Sequence, residues 1–119
     1  MGKFISSRIT SFSHAFNGLF NTIKYEKNSW IHLFVTILVI SAGFYFKITR
    51  IEWMAIILTV TGVWAAELIN TALENTVDLI TIEKNSYAKT AKDVMAAMVL
   101  VSAIGAIVIG MIIFIPYIF

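Results

Sequence analysis

The sequence has no cysteine, which excludes disulfides, thiolate chemistry and cysteine-ligated zinc, and leaves the redox compartment open. Its six glycines do not gather into a phosphate-cradling loop and G-x-x-x-x-G-K-[ST] does not occur, so a nucleotide must be bound by other means. No stretch collects Lys and Arg into a block, and the net charge is only +2. Both facts speak against a nucleic-acid partner. Repeats, low-complexity tracts and Pro/Gly/Ser linkers are missing too. The one proline, Pro116, stands near the end of an apolar run, where a helix tolerates it.

What the chain has instead is apolar length. Of 119 residues, 59% are hydrophobic, with a mean hydropathy of +0.85, beyond the usual range of a water-soluble domain. The bilayer is the expected solvent. At about 20 apolar residues per span, the chain affords three spanning helices and one surface segment, all within a single domain, 1–119. Residues 4–25 carry Ile5, Ile9, Phe12, Phe16, Leu19, Phe20 and Ile23 at three- and four-residue steps, which predicts an amphipathic helix lying in the interface. Lys3, Arg8 and Lys24 on it suit an anionic surface. Residues 30–46, 53–80 and 94–117 read as the spans. The first apolar run ends in Phe44-Tyr45-Phe46-Lys47 rather than a cleavage-like site, so it is expected to stay in the mature protein. Four Lys/Arg precede the first span, two separate the first and second, three separate the second and third, and none follow. By the positive-inside rule the N-terminus and the 80–93 connection face the cytoplasm. Three spans bury little on their own, because lipid is as apolar as leucine, so an oligomer is expected.

The second span differs in kind. At about 100° per residue, Glu67, Asn70, Glu74 and Asp78 fall at roughly 0°, 300°, 340° and 20°, within one arc of about 80°. Each ionisable group inside a span costs about 2.5–3.5 kcal/mol on insertion scales, so three carboxylates on one face require a cation, a proton or a partner. Glu26 before the first span and Lys92-Asp93 before the third sit at similar depth. Carboxylates suit a hard divalent cation and an ammonium suits phosphate oxygens, a combination that points to phosphoryl transfer. The blander readings are an interhelical hydrogen-bond seam for the stripe, snorkelling caps for Lys92 and Asp93, and a helix-dipole acid for Glu26. His14 and His32 have no partner spacing and read as interfacial hydrogen-bonding groups rather than metal ligands, with contact to substrate or nucleotide the alternative for His32. Trp30, Trp53 and Trp64 read as belt or packing residues, and Ser102, Ala106 and Gly110 as a helix-packing face. A proton- or cation-conducting protein is the non-enzymatic alternative, although its ionisable groups would be spread through the membrane depth rather than kept near one face.

The string Glu67-Leu68-Ile69-Asn70-Thr71-Ala72-Leu73-Glu74-Asn75-Thr76-Val77-Asp78 resembles the E-x-x-N-[TS]-A-[IL]-E-x-x-x-D signature of the small prokaryotic diacylglycerol kinases. Ala88 to Ala97, Ala15-Phe16-Asn17-Gly18 and Glu26-x-Asn28 match further family stretches in the right order. The resemblance implies an all-α, three-span homotrimer with an N-terminal surface helix and active sites shared between subunits. It also implies transfer of the ATP γ-phosphate, with Mg2+, to a lipid hydroxyl. By position, Glu26 and Glu74 are the metal ligands, Glu67 the general base, Asn70 an ordering residue and Lys92 the phosphate contact. Asp78 and Asp93 take supporting or nucleotide-side roles. One departure stands out: relatives read E-x-N-F-R-I-H where this chain reads Glu26-Lys27-Asn28-Ser29-Trp30-Ile31-His32, so Trp30 replaces an arginine and any nucleotide contact of that arginine falls to Lys24 or Lys27. The family uses diacylglycerol or undecaprenol. The Asn28 and His32 pattern resembles the undecaprenol branch, with diacylglycerol the alternative.

Overall fold

The computed structural model describes all 119 residues as four helices: α1 (Gly2–Tyr25), α2 (Lys27–Phe46), α3 (Arg50–Ile80) and α4 (Ser86–Ile118). The last three are long and apolar enough to cross a membrane. Each helix overruns the apolar stretch from which its span was read. α2 starts three residues before Trp30, α3 three before Trp53, and α4 eight before Val94, because helix ends are set by caps rather than by hydropathy.

The caps are specific. Between α2 and α3, Lys47 adopts the left-handed conformation (φ 51°, ψ 55°), and the Ile48 N–H donates to the Gly43 carbonyl at 3.2 Å. Thr49 Oγ1 then accepts from the Glu52 N–H at 3.2 Å while Glu52 Oε1 accepts from the Thr49 N–H at 2.9 Å. This reciprocal box satisfies two orphan donors and starts α3 at Arg50. Between α3 and α4, Asn85 Oδ1 accepts from the N–H groups of Tyr87 and Ala88. The residues expected as a long 80–93 connection therefore reduce to 81–85. α1 passes into α2 through a single extended residue, Glu26 (φ −96°, ψ 122°).

The bundle is built on α3 and α4. Ile48, Ile56 and Ile113 form a small core with Phe46, Trp53 and Phe114 around it, and Tyr117 donates to Glu52 Oε1 across the same end. Gly43 is required there, since a Cβ would meet Trp53 Cη2 at 2.6 Å. Only 9 of 119 residues are buried, so the chain's apolar surface is turned outward on nearly every face, as lipid or further copies of the chain would require. The molecule measures 51 × 48 × 21 Å. The 33-residue α4 accounts for one long dimension at 1.5 Å per residue. The other needs α1 to project sideways, with Phe4, Phe12, Phe16 and Phe20 exposed. Ser102, Ala106 and Gly110 are all half-buried. Ala106 and Gly110 line an apolar cleft between α2, α3 and α4, and a Cβ on Gly110 would meet nothing.

Candidate active site

The core lies at one end of the bundle and the carboxylates at the other: from Ile56 to Glu74 is about 27 Å along α3. The polar stripe of α3 is graded in burial. Glu67 is 1% exposed, Asn70 and Glu74 are half-buried, and Asp78 is exposed. Its members do not share one partner. Glu67, nearest the middle of α3, meets α2, and Asp78, nearest its end, meets α4.

The α2–α3 contact is a polar seam of antiparallel helices. Trp64 Nε1 donates to Thr36 Oγ1 at 3.0 Å, and His32 Nε2 stands 3.4 Å from Glu67 Oε2. That register sets Ser29 level with Thr71, and one turn further sets Glu26 level with Glu74. Ser29 Oγ, Glu67 Oε2 and Thr71 Oγ1 are buried without a hydrogen-bond partner. Such groups are uncommon in a folded chain and call for a catalytic role, a bound water or an ion to explain them. One expectation changes here: His32 has a partner after all, on another helix where sequence spacing could not reveal it. Of the two readings for Trp64, belt or packing, the seam takes the packing one. Ser29, fully buried, escaped the sequence reading because a lone serine at the start of an apolar helix carries no signal.

Toward its end, α3 meets the first turns of α4. Lys92 Nζ donates to Asp78 Oδ1 at 2.6 Å, and Glu74 is close enough for its charge to act on Lys92. Glu74, Asp78 and Lys92 thus form one group, as expected. Asp93 lies beside this group but is paired with Lys89 of its own helix at 2.7 Å. Around these residues the α3–α4 connection forms a polar hollow of about 620 Å³, to which Lys84 and Lys89 contribute further positive charge. Those two lysines were missed as site residues: Lys89 stands one helical turn from Lys92 in α4, and the five-residue turn adds Lys84.

Glu26 belongs to a third neighbourhood, a concavity of about 520 Å³ where α1 meets α3, shared with Thr22, Thr71 and Asn75. Glu26 has no ion pair in the chain, and no group of three or more His, Asp and Glu side chains is arranged to hold a metal. The chain does not bring Glu26 and Glu74 into one group, but either carboxylate suits magnesium, which is commonly held by one or two carboxylates together with waters and substrate phosphates. His32 also borders the cleft of about 310 Å³ lined by Val35, Val39, Val60 and Ile107. One apolar hollow therefore reaches the polar seam beside the buried carboxylate.

Comparison with known proteins gives a consistent result. Residues 13–114 match the family described as Prokaryotic diacylglycerol kinase. The chain is 42% identical to the undecaprenol kinase of Bacillus subtilis (strain 168) over 106 residues, 89% of this chain and 86% of the relative. It is 36% identical to a diacylglycerol kinase of Synechocystis over 103 residues, 86% of this chain and 59% of that protein. A diacylglycerol kinase of Haemophilus influenzae is 34% identical over 94 residues, 79% and 80% of the two chains. With three helices able to span a bilayer, a buried carboxylate and a lysine–carboxylate group at one end of the bundle, the chain belongs to the prokaryotic diacylglycerol kinase family and is a multi-pass membrane lipid kinase.

Proposed function

We propose that this kinase transfers the γ-phosphate of ATP to the hydroxyl of undecaprenol, giving undecaprenyl phosphate. The observation that carries the acceptor is the 42% identity, across 89% of the chain, to an undecaprenol kinase. The seam and the hollow support the roles. The acceptor oxygen attacks the γ-phosphorus, the bond to the β–γ bridging oxygen breaks, and ADP leaves. Glu67, a buried carboxylate, accepts the hydroxyl proton as general base. Lys92 meets phosphate oxygens and Asp78 holds its ammonium in place. Asn70, one turn from Glu67 on the same stripe, helps order the site. Asp93 acts on the nucleotide side through Lys89. Glu26 and Glu74 would hold Mg2+, which supplies charge neutralisation to the polyphosphate.

The assembly and placement are part of the proposal. The chain is a single domain and a homotrimer, whose neighbouring subunits complete the separate carboxylate groups and cover the outward-facing apolar surface. α1 lies in the interface of the inner membrane, with the N-terminus and the α3–α4 connection in the cytoplasm. The apolar cleft ending at His32 offers a place for the acceptor's tail. A diacylglycerol acceptor is the second reading, favoured by the two diacylglycerol kinases at 36% and 34% identity. Transfer of labelled γ-phosphate from ATP, with magnesium, to undecaprenol and diacylglycerol in parallel tests both. Preference for undecaprenol is expected, and preference for diacylglycerol would replace the first reading by the second.

A further inference from the structure

We infer that His32 is the positioning residue of this kinase: its imidazole holds Glu67 Oε2, so that the other carboxylate oxygen is aimed at the acceptor hydroxyl. The inference rests on Glu67 being the general base. Glu67 is 1% exposed and its Oε2 has no hydrogen-bond partner. Of the three ion pairs in the chain, only the one with His32, at 3.4 Å, reaches it. Lys92, the other basic group near the stripe, is taken by Asp78. A contact of 3.4 Å before substrate binds is of the kind that tightens in a reactive complex.

The imidazole is itself held. The Trp64 ring lies edge-on to it, with centroids 6.1 Å apart and an interplanar angle of 62°. The Trp64 indole is anchored by its bond to Thr36 Oγ1, and Thr36 in turn donates to the His32 carbonyl at 2.6 Å. Thr36, Trp64, His32 and Glu67 thus form a chain that fixes the carboxylate from behind, as supporting groups fix catalytic side chains elsewhere. His32 also faces the apolar cleft. It stands at the boundary between the place where a lipid tail fits and the oxygen that must meet the lipid's hydroxyl.

The test compares His32→Gln, which keeps an N–H donor, with His32→Met, which fills similar space without one. Both are made in the full chain and assayed with Mg-ATP and undecaprenol or diacylglycerol, whichever wild type phosphorylates, alongside Glu67→Gln and a thermal melt. His32→Met is expected to lose about tenfold to a hundredfold in kcat, with KM for ATP and lipid and the melting temperature unchanged. His32→Gln should retain most of the activity. His32→Ala should regain part of its lost kcat when imidazole is added, because the vacated space opens on the cleft. Equal kcat in His32→Met and wild type, equal losses in the Gln and Met variants, or failure of both to fold would each overturn the inference. Full activity of Glu67→Gln would overturn the general-base assignment and this inference with it. An inactive Glu67→Gln beside a fully active His32→Met would overturn only the role of His32.

Discussion

Replacing Glu67 by glutamine separates what the side chain does for catalysis from what it does for the fold. The carboxylate is 1% exposed, and its Oε2 meets no donor at hydrogen-bonding distance, only His32 at 3.4 Å. Leaving a buried polar group unsatisfied costs about 1–3 kcal/mol, more if it is charged. An amide of the same shape removes the charge from this environment and brings its own N–H. Glu67→Gln should therefore fold at least as stably as wild type, gaining up to about 2 kcal/mol on that scale. The same change removes the proton acceptor. A positioned base contributes about 10²–10⁴ in rate, so about 3–5 kcal/mol of transition-state stabilisation should vanish at 1.36 kcal/mol per decade. Stability measured by reversible unfolding in mixed detergent micelles and kcat measured by phosphate transfer should move in opposite directions. Activity within about threefold of wild type would refute the base assignment, since general-base contributions are far larger. A large loss of stability would mean instead that the negative charge itself holds α2 against α3.

Glu74→Gln, which lowers the charge of one of the two carboxylates assigned to magnesium, should abolish transfer without unfolding the protein. Chelation should likewise stop the reaction and added magnesium restore it. Exchanging the charges of the half-exposed Lys92–Asp78 pair, as Lys92→Asp with Asp78→Lys, should preserve folding but leave kcat about 10²–10³-fold down, because the ammonium then stands on the wrong helix. Recovery of wild-type activity would show that any lysine in the pair suffices. Gly43→Ala should lower stability by about 1–3 kcal/mol through overpacking against Trp53, with little effect on kcat per folded molecule. A melting temperature equal to wild type would show that the Trp53 ring can move aside.

Much of this architecture was legible in the sequence because the terms involved are local and large. Twenty-residue apolar runs need no tertiary information to be read as spans. The cost of placing Glu67, Glu74 and Asp78 within such a run marked them for function before any contact was known, and helical period alone put them on one face. The Thr49–Glu52 capping box did not enter that reading, because its effect, an earlier start to α3, depends on geometry that hydropathy does not report. The family signature from Glu67 to Asp78 identified the chemistry. Only the tertiary structure decided how the stripe is divided. The relative register of α2 and α3 gave Glu67 to His32, and a five-residue turn brought Asp78 to Lys92, whereas the Lys89–Asp93 pair is set by helical period within α4 alone. The two inter-helix pairings follow from how separate helices approach one another. Side-chain reach is only a few ångströms, so a shift of one residue in that approach would change both partners while leaving the sequence pattern the same.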